Sequence, residues 1–344
     1  MQAIILVGGE GTRLRPLTYR SPKQMLPIFG VPMLERVLDN LARHGVTSAV
    51  LSLGYLPDRF IDAYPDHTVA GVRVEYAVEP APLDTAGAIR FAARHAGITE
   101  TFIVVNGDVI TDLNVTRLVD FHRAKGAAAT IALYPVEDPS RFGVVPTDDE
   151  GRVIAFVEKP SREDAPTNLI NAGTYVMEPS VLDRIEPDVK VSVERVTFPS
   201  LASDGVLYAL ADDAYWLDTG TPQAYLEAHA DVLSGRRALT TDTPVIDGSW
   251  VHPSATVHET AVLRGATVDR DAHVGAGATL DNVVVMPAAV VGPQATIRDS
   301  ILGPGATVGE GAVLQATCVV GHGVSVPGRS QLSGDVRLGG PATT

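Results

Sequence analysis

Lysine is nearly absent: the chain of 344 residues carries four, at positions 23, 125, 159 and 190, against 23 arginines. Cysteine is rarer still, with Cys318 alone, so no intrachain disulfide is possible and a reducing compartment fits. Aromatic residues reach only 6%, and positive charge is in deficit, the formal net charge being −14. That balance excludes the broad basic face that a nucleic-acid partner requires, and it makes any local basic cluster informative. No apolar run approaches the length of a membrane span. The opening Met1–Val7 is too short for a signal peptide and lacks its charged flank. The expectation is a soluble cytoplasmic protein with no nucleic-acid or membrane partner. A hydrophobic content of 45% is enough for two domains with cores.

Two patterns meet near residue 240. In the first, buried-strand runs alternate with helical periods: Ala3–Val7, a helix over 32–43 with Pro32 in its first turn, Ala49–Leu53, a helix from Thr85 to His95 capped by Thr85, and Phe102–Val105. This alternation predicts an α/β domain, Rossmann-like, with a mixed, mostly parallel sheet covered on both faces. Val144-Val145 and Val153–Val157 around the 148–151 turn read as a hairpin laid on that sheet. Beyond the turn of pattern an aliphatic residue recurs at every sixth place: Val268, Val274, Leu280; then Val285, Val291, Ile297; then Leu302, Val308, Leu314, Val320, Val326. Small residues fill the gaps, as in a β-helix of hexapeptide repeats. The boundaries read as a catalytic domain over 1–235, a linker over 236–244, a β-helix over 245–330 and a tail over 331–344. Cutting in the linker near Thr241 is expected to leave a domain that still binds nucleotide.

The chemistry concentrates in Gly8-Gly9-Glu10-Gly11-Thr12-Arg13-Leu14-Arg15-Pro16-Leu17-Thr18, followed by Ser21-Pro22-Lys23. The loop follows the first strand, yet it has neither the Lys-Ser/Thr ending of a P-loop nor the third glycine of the dinucleotide fingerprint. Glycines let backbone N–H groups close on phosphate oxygens, while Arg13 and Lys23 can neutralise charge that develops on a pyrophosphate. In a chain that has almost abandoned lysine, the retention of Lys23 after Ser-Pro and of Lys159 in Glu158-Lys159-Pro160 argues for function over surface charge.

This run resembles the sugar-nucleotide pyrophosphorylase family of nucleotidyltransferases. The resemblance continues through Leu83–Ala88, Val105–Asp108, Phe142–Val145, Val157–Pro160, Asn171–Gly173 and Trp216–Gly220 into the hexapeptide region. Within the family the chain is most similar to the members that make GDP-mannose. The resemblance implies nucleotide contacts from Leu6, Gly8, Gly9, Gly11, Thr12, Arg13, Lys23, Glu79, Gly87 and Asp108, with Gly87 leaving room for the base. It implies sugar contacts from Gly143, Glu158, Lys159 and Asn171, and a Mg²⁺ shared by Asp108 and Asp218. It also implies a left-handed coil and a homo-oligomer built through the β-helix. Arg13, Lys23 and Lys159 become the catalytic set for direct in-line attack of a sugar-1-phosphate on the α-phosphorus of a nucleoside triphosphate. Glu79 tilts the base toward guanine, whose two adjacent donors suit one carboxylate. One departure is Asp84, where many relatives carry glycine.

Other readings stay open at this point. The substrate pair could be glucose-1-phosphate with a thymidine or uridine nucleotide, or another sugar-like phosphate with GTP. Hexapeptide coils also occur in acyltransferases, for which His252, His258, His273 and His322 would be the available bases. A non-catalytic regulatory homologue is the remaining alternative.

Overall fold

The computed structural model of the chain describes residues 1–239, 241 and 243–340. Two compact units form: Met1–Gly9 with Leu34–Trp216, and Glu10–Met33 with Leu217–Thr344. The division differs from the sequence reading, because the stretch carrying Arg13 and Lys23 belongs with the β-helix and not with the sheet. The expected linker over 236–244 includes Thr240 and Asp242, and the expected tail ends in 341–344; these six positions lie outside the described residues.

In the first unit the strand Gln2–Leu6 runs parallel to both Ser48–Leu53 and Phe102–Asn106. Ser48–Leu53 pairs in turn with Val72–Val78, again parallel. On the other side Leu169–Met177 lies antiparallel to Phe102–Asn106 and to Ala129–Pro135, so the sheet is mixed. The strand cores are nearly unbroken apolar runs because both faces are covered. Ala86, Ile89, Ala92 and Ala93 of the helix Asp84–His95 enter the same core as Ile4, Val50, Phe102, Val104 and Tyr175. Leu6 pairs with Asn106, so the turn holding Gly8 and the turn holding Asp108 leave the same carboxyl edge, where open α/β sheets bind ligands.

Local punctuation differs from expectation at two helix starts. Pro32 does not open a helix; it sits in the strand Val31–Pro32 paired with Pro27–Ile28, and the helix runs Met33–Arg43. Thr85 does not cap the helix Asp84–His95. Its hydroxyl donates to Glu194 at 2.7 Å and accepts the Val193 N–H at 2.8 Å. The first-turn N–H groups of Ala86 and Gly87 go instead to the Val191 carbonyl.

In the second unit the period-six residues become columns of a parallel coil. Val268 pairs with Val285, Val285 with Leu302, and Leu302 with Val320 on one face. Val274, Val291, Val308 and Val326 stack on the next, and Leu280, Ile297 and Leu314 on the third. Each group of three read from the sequence is therefore one turn of the coil, and the shortened step from Leu280 to Val285 is where one turn hands over to the next. Ala266, Ala272, Ala278, Ala289, Ala295, Ala306 and Ala312 fill the corners of the buried stack. The coil does not stop at residue 330: Gln331–Ser333 pairs with Val313–Gln315, and Arg337–Leu338 with Val319–Val320.

Residues 10–33 lie along one edge of this coil. Phe29 stacks on His229 of the helix Pro222–Leu233 at 5.2 Å and meets Trp250 edge-on at 5.4 Å. Arg270 donates to the Gly30 carbonyl at 2.9 Å, and Tyr225 donates to the Pro27 carbonyl. At the other end a Cβ on Gly303 would stand 3.1 Å from the Leu17 side chain, and one on Gly321 would stand 3.1 Å from Pro16. Gly339 approaches Pro16 equally closely. The positions after the stacked strands read His252, Asp269, Met286, Gly303, Gly321, Gly339; a Cβ on Gly303 or Gly321 would meet first the backbone of the next turn, at 2.8 and 2.9 Å, and then the loop.

Candidate active site

The sheet unit brings together much of the expected sugar side. Gly143 pairs with Glu158 across the hairpin, and a Cβ on Gly143 would stand 2.5 Å from the Phe156 ring and 3.1 Å from Glu158 Oε2. Lys159 follows in the left-handed region, φ 51°, with its N–H on the Phe142 carbonyl at 3.0 Å and its ammonium 2.9 Å from Glu158 Oε1. A lysine held there costs about 1 kcal/mol, and strain of this kind collects at working sites. Asn171 starts a bulge in its strand: its Oδ1 accepts the Gly173 N–H and its amide donates to the Tyr175 hydroxyl, both at 2.9 Å. Burial, and then the Glu194 charge, push the Tyr175 hydroxyl well above its ordinary pKa, so it stays neutral beside Asn171.

An aromatic wall was not anticipated. Trp216 stacks on Tyr134 at 5.3 Å, meets Phe142 edge-on at 5.6 Å, and donates to the Ala172 carbonyl at 2.9 Å. The available signals were the scarcity of tryptophan, two in the whole chain, and the place of Trp216 and Phe142 at the heads of two of the motifs.

On the nucleotide side the Gly8 turn is close-packed: a Cβ there would stand 3.3 Å from Glu79 Oε1 and 3.4 Å from the Gly54 nitrogen. The Glu79 carboxylate is held at both oxygens, by the Ser52 hydroxyl and by the Leu83 N–H, each at 3.1 Å. Gly87 has a different reason to be glycine from the one expected. It is buried, and a Cβ would stand 2.8 Å from the Val189 carbonyl, so the missing side chain admits protein backbone rather than a base. Asp84 adopts φ 59° and accepts the Thr85 N–H at 2.9 Å, an aspartate in a backbone region that glycine enters most easily. Asp108 is half-buried, just past Phe102–Asn106.

The remaining expected residues fall in the second unit. Gly11 takes φ 62° ahead of the short helical turn Thr12–Leu14, and Thr18 donates to its carbonyl at 2.9 Å. Lys23 opens the next short turn, and a Cβ on Gly11 would stand 3.2 Å from its Cβ. Asp218 Oδ1 accepts the Gly220 N–H at 2.9 Å while Oδ2 lies 3.9 Å from the Arg13 guanidinium. Carboxylate oxygens are the hard donors magnesium takes, and the Gly220 N–H fixes how this one points. Among the described residues no three acidic, histidine or cysteine side chains gather into a cage. His258, His273 and His322 sit exposed on the coil, and His252 and His258 bond locally to Ser254 and Thr260.

The family described as Nucleotidyl transferase matches residues 2–235, and the chain belongs to it. A GMPPB C-terminal domain matches residues 245–338. A mannose-1-phosphate guanylyltransferase from Mycobacterium tuberculosis is 43% identical over 263 residues, 74% of this chain and 72% of that protein. A mannose-1-phosphate guanyltransferase from Hypocrea jecorina is 38% identical, over 75% of this chain and 73% of its own. Among solved structures, HddC from Yersinia pseudotuberculosis in complex with GMP-PN is 32% identical with a TM-score of 0.57, covering 66% of this chain and 97% of that one. A putative thymidylyltransferase from Bacillus anthracis, at 23% identity and a TM-score of 0.61, shares the fold. No helix among the described residues is long and apolar enough to cross a membrane.

Proposed function

We propose that the protein condenses GTP with mannose 1-phosphate to give GDP-mannose and pyrophosphate. The observation that carries this reading is the run of relatives bearing that enzyme's name at 35–43% identity over most of the chain. The GMP-PN in the Yersinia structure adds support for a guanine nucleotide. A phosphate oxygen of the sugar phosphate attacks the α-phosphorus, the bond to the β-phosphate oxygen breaks, and pyrophosphate departs on the opposite side. No covalent enzyme intermediate is needed, so the protein contributes positioning and charge.

In this reading Lys159 grips the sugar phosphate, while Glu158, Asn171 and the Gly143 backbone take the sugar hydroxyls. Leu6, Gly8, Gly9, Gly11 and Thr12 line the nucleotide. Arg13 and Lys23 offset the charge that grows on the leaving pyrophosphate. Asp108 and Asp218 hold magnesium, which supplies further positive charge to the phosphates when bound. Glu79 faces the guanine edge, its carboxylate aimed by Ser52 and Leu83. A cytoplasmic location and a homo-oligomer formed through the coil complete the proposal.

A matrix of GTP, UTP, dTTP and ATP against mannose, glucose and other sugar 1-phosphates, scored by pyrophosphate release, tests it. GTP with mannose 1-phosphate should give the highest kcat/KM. Glu79→Gln can still satisfy Ser52 and Leu83, with its amide nitrogen and oxygen respectively, so it should erode guanine preference more than maximal rate. Equal use of all the nucleotides by the wild type would refute guanine selectivity.

A further inference from the structure

Arg337 lies in the last strand of the coil, about as far along the chain from the glycine-rich loop as a residue can be. Its guanidinium nevertheless ends on that loop. One terminal nitrogen, Nη1, donates to the Arg15 carbonyl at 3.3 Å and reaches the Arg13 carbonyl at 3.5 Å. Its Nε donates to Asp335 Oδ1 at 2.5 Å, which fixes the plane of the group. The side chain is 29% exposed, so these bonds are partly shielded from water. Beside it Pro16 rests against Gly321 and Gly339, leaving no room for the loop to settle deeper.

Those two carbonyls bracket Leu14, which is fully buried. The Arg15 N–H bonds to the Thr12 carbonyl and the Leu14 N–H to the Gly11 carbonyl, closing the turn internally. Neither bond ties the turn to a scaffold. The Arg13 side chain is 56% exposed, lies 3.9 Å from Asp218, and rests against Gly220, where a Cβ would stand 2.5 Å from its guanidinium. Its direction also depends on where its backbone is held, and Arg337 is an outside group that bonds to that backbone.

We propose that Arg337 is a positioning residue for the phosphate loop: the final turn of the coil, through this guanidinium, aims Arg13 at the departing pyrophosphate. The inference rests on the reading of Arg13 given above. It assigns the coil a part in turnover, by way of the loop backbone, in addition to any part in assembly. A displaced charge is felt where charge develops, in the transition state, so the cost falls on kcat with little change in KM.

The test is a cycle in the full-length chain of Arg13→Ala, Arg337→Ala and the double variant. Rates are measured by pyrophosphate release, and correctly folded sites are counted by the stoichiometry of GDP-mannose binding. With stoichiometry unchanged, Arg337→Ala should lower kcat about tenfold and leave both KM values within about twofold, a loss in the range expected for a small misplacement. In the Arg13→Ala background the same change should cost nothing further. Arg337→Lys, which cannot span two carbonyls and Asp335 as a planar fork does, should fall between wild type and Arg337→Ala. Should Arg337→Ala fail to fold, the lysine variant carries the test, and wild-type kcat in it overturns the proposal. Losses that simply multiply in the double variant also overturn it, because Arg337 would then act on something other than Arg13. Wild-type turnover in Arg13→Ala alone would instead remove the reading on which the inference rests.

Discussion

The sheet unit and the coil bury aliphatic side chains by opposite rules. In the sheet, consecutive residues such as Ala3, Ile4 and Ile5 are all buried, because helices and connecting segments cover both faces. In the coil only about every third residue points inward, alternately small and large, and the other faces meet water. The sheet leaves its strand ends for chemistry, and Gly8, Asp108 and Lys159 all lie just past such ends. The coil offers instead a long, regular flank, on which residues 10–33 lie. The difference separates two parts that a sequence motif merges: one unit carries the Gly143, Glu158, Lys159 and Asn171 cluster, and the other carries the cationic loop.

The largest effect expected from disturbing this division comes from removing one carboxylate in each unit. Asp108→Asn and Asp218→Asn should each lower kcat by about 10²–10³-fold with the fold intact by circular dichroism, the scale for losing a group that stabilises transition-state charge. Near-normal rates in either variant, measured across a magnesium titration, would remove that residue from the metal site.

Truncation after Leu239 comes next, and here the contacts of the loop lead to a different expected outcome from the one drawn from sequence. Phe29 and Leu17 are 3% and 2% exposed, and the contacts described for both lie with the helix Pro222–Leu233 and the coil. The cut removes the Gly303 neighbour of Leu17 and the Trp250 neighbour of Phe29, while His229 stays, at a cost of up to about 2 kcal/mol each. The shortened protein should lose GTP affinity at least about tenfold by calorimetry, or aggregate. A soluble truncation with full affinity would show that the loop keeps its shape without the coil.

Acidification should act on the two units with opposite sign. Burial holds the His122 pKa below its ordinary value of 6.5, with Thr130 and Glu178 as ring partners. The unfolded chain therefore binds that proton first, and this contribution to stability is present above pH 6.5 and lost as pH falls through the folded pKa. Burial raises Asp269 above 3.8, so the folded state binds its proton first. Its contribution is favourable at low pH and diminishes as pH rises through the folded pKa. Urea unfolding at several pH values should show His122→Gln weakening the acid-side loss, and Asp269→Asn gaining on wild type at pH 7 but not at pH 3. The same trend for both would contradict the burial assignments. The smallest effect is expected from Asp84→Gly, within about 1 kcal/mol of wild type by thermal unfolding, since φ 59° suits both residues.

Much of this molecule could be read locally. The column residues of the coil, the mostly parallel sheet and the carboxyl-edge turn at Asp108 follow from periodicity and glycine placement, which are properties of short windows. What escaped was contact between distant segments. Thr85 looked like a cap because the Val191 carbonyl that does the capping is remote in sequence. Gly87 looked like space for a base for the same reason. The grouping of residues 10–33 with the coil was hidden too, because it rests on contacts such as Phe29 with Trp250 and Gly30 with Arg270 that join segments more than 200 residues apart.

Coiled repeats ordinarily evolve by gaining or losing whole turns, each stacking like its neighbours. Here the loop is fastened near one end of the coil at Trp250 and Arg270 and near the other at Gly321 and Arg337. An added turn between those anchors would part them by about 4.8 Å, the spacing of stacked strands. The 13 residues from Pro16 to Ile28 would have to stretch to follow. Descendants of this chain can lengthen the coil past Leu338 or revise its outward corners, but the number of turns between the anchors is inherited as a fixed measure, set by a loop that is not itself part of the repeat.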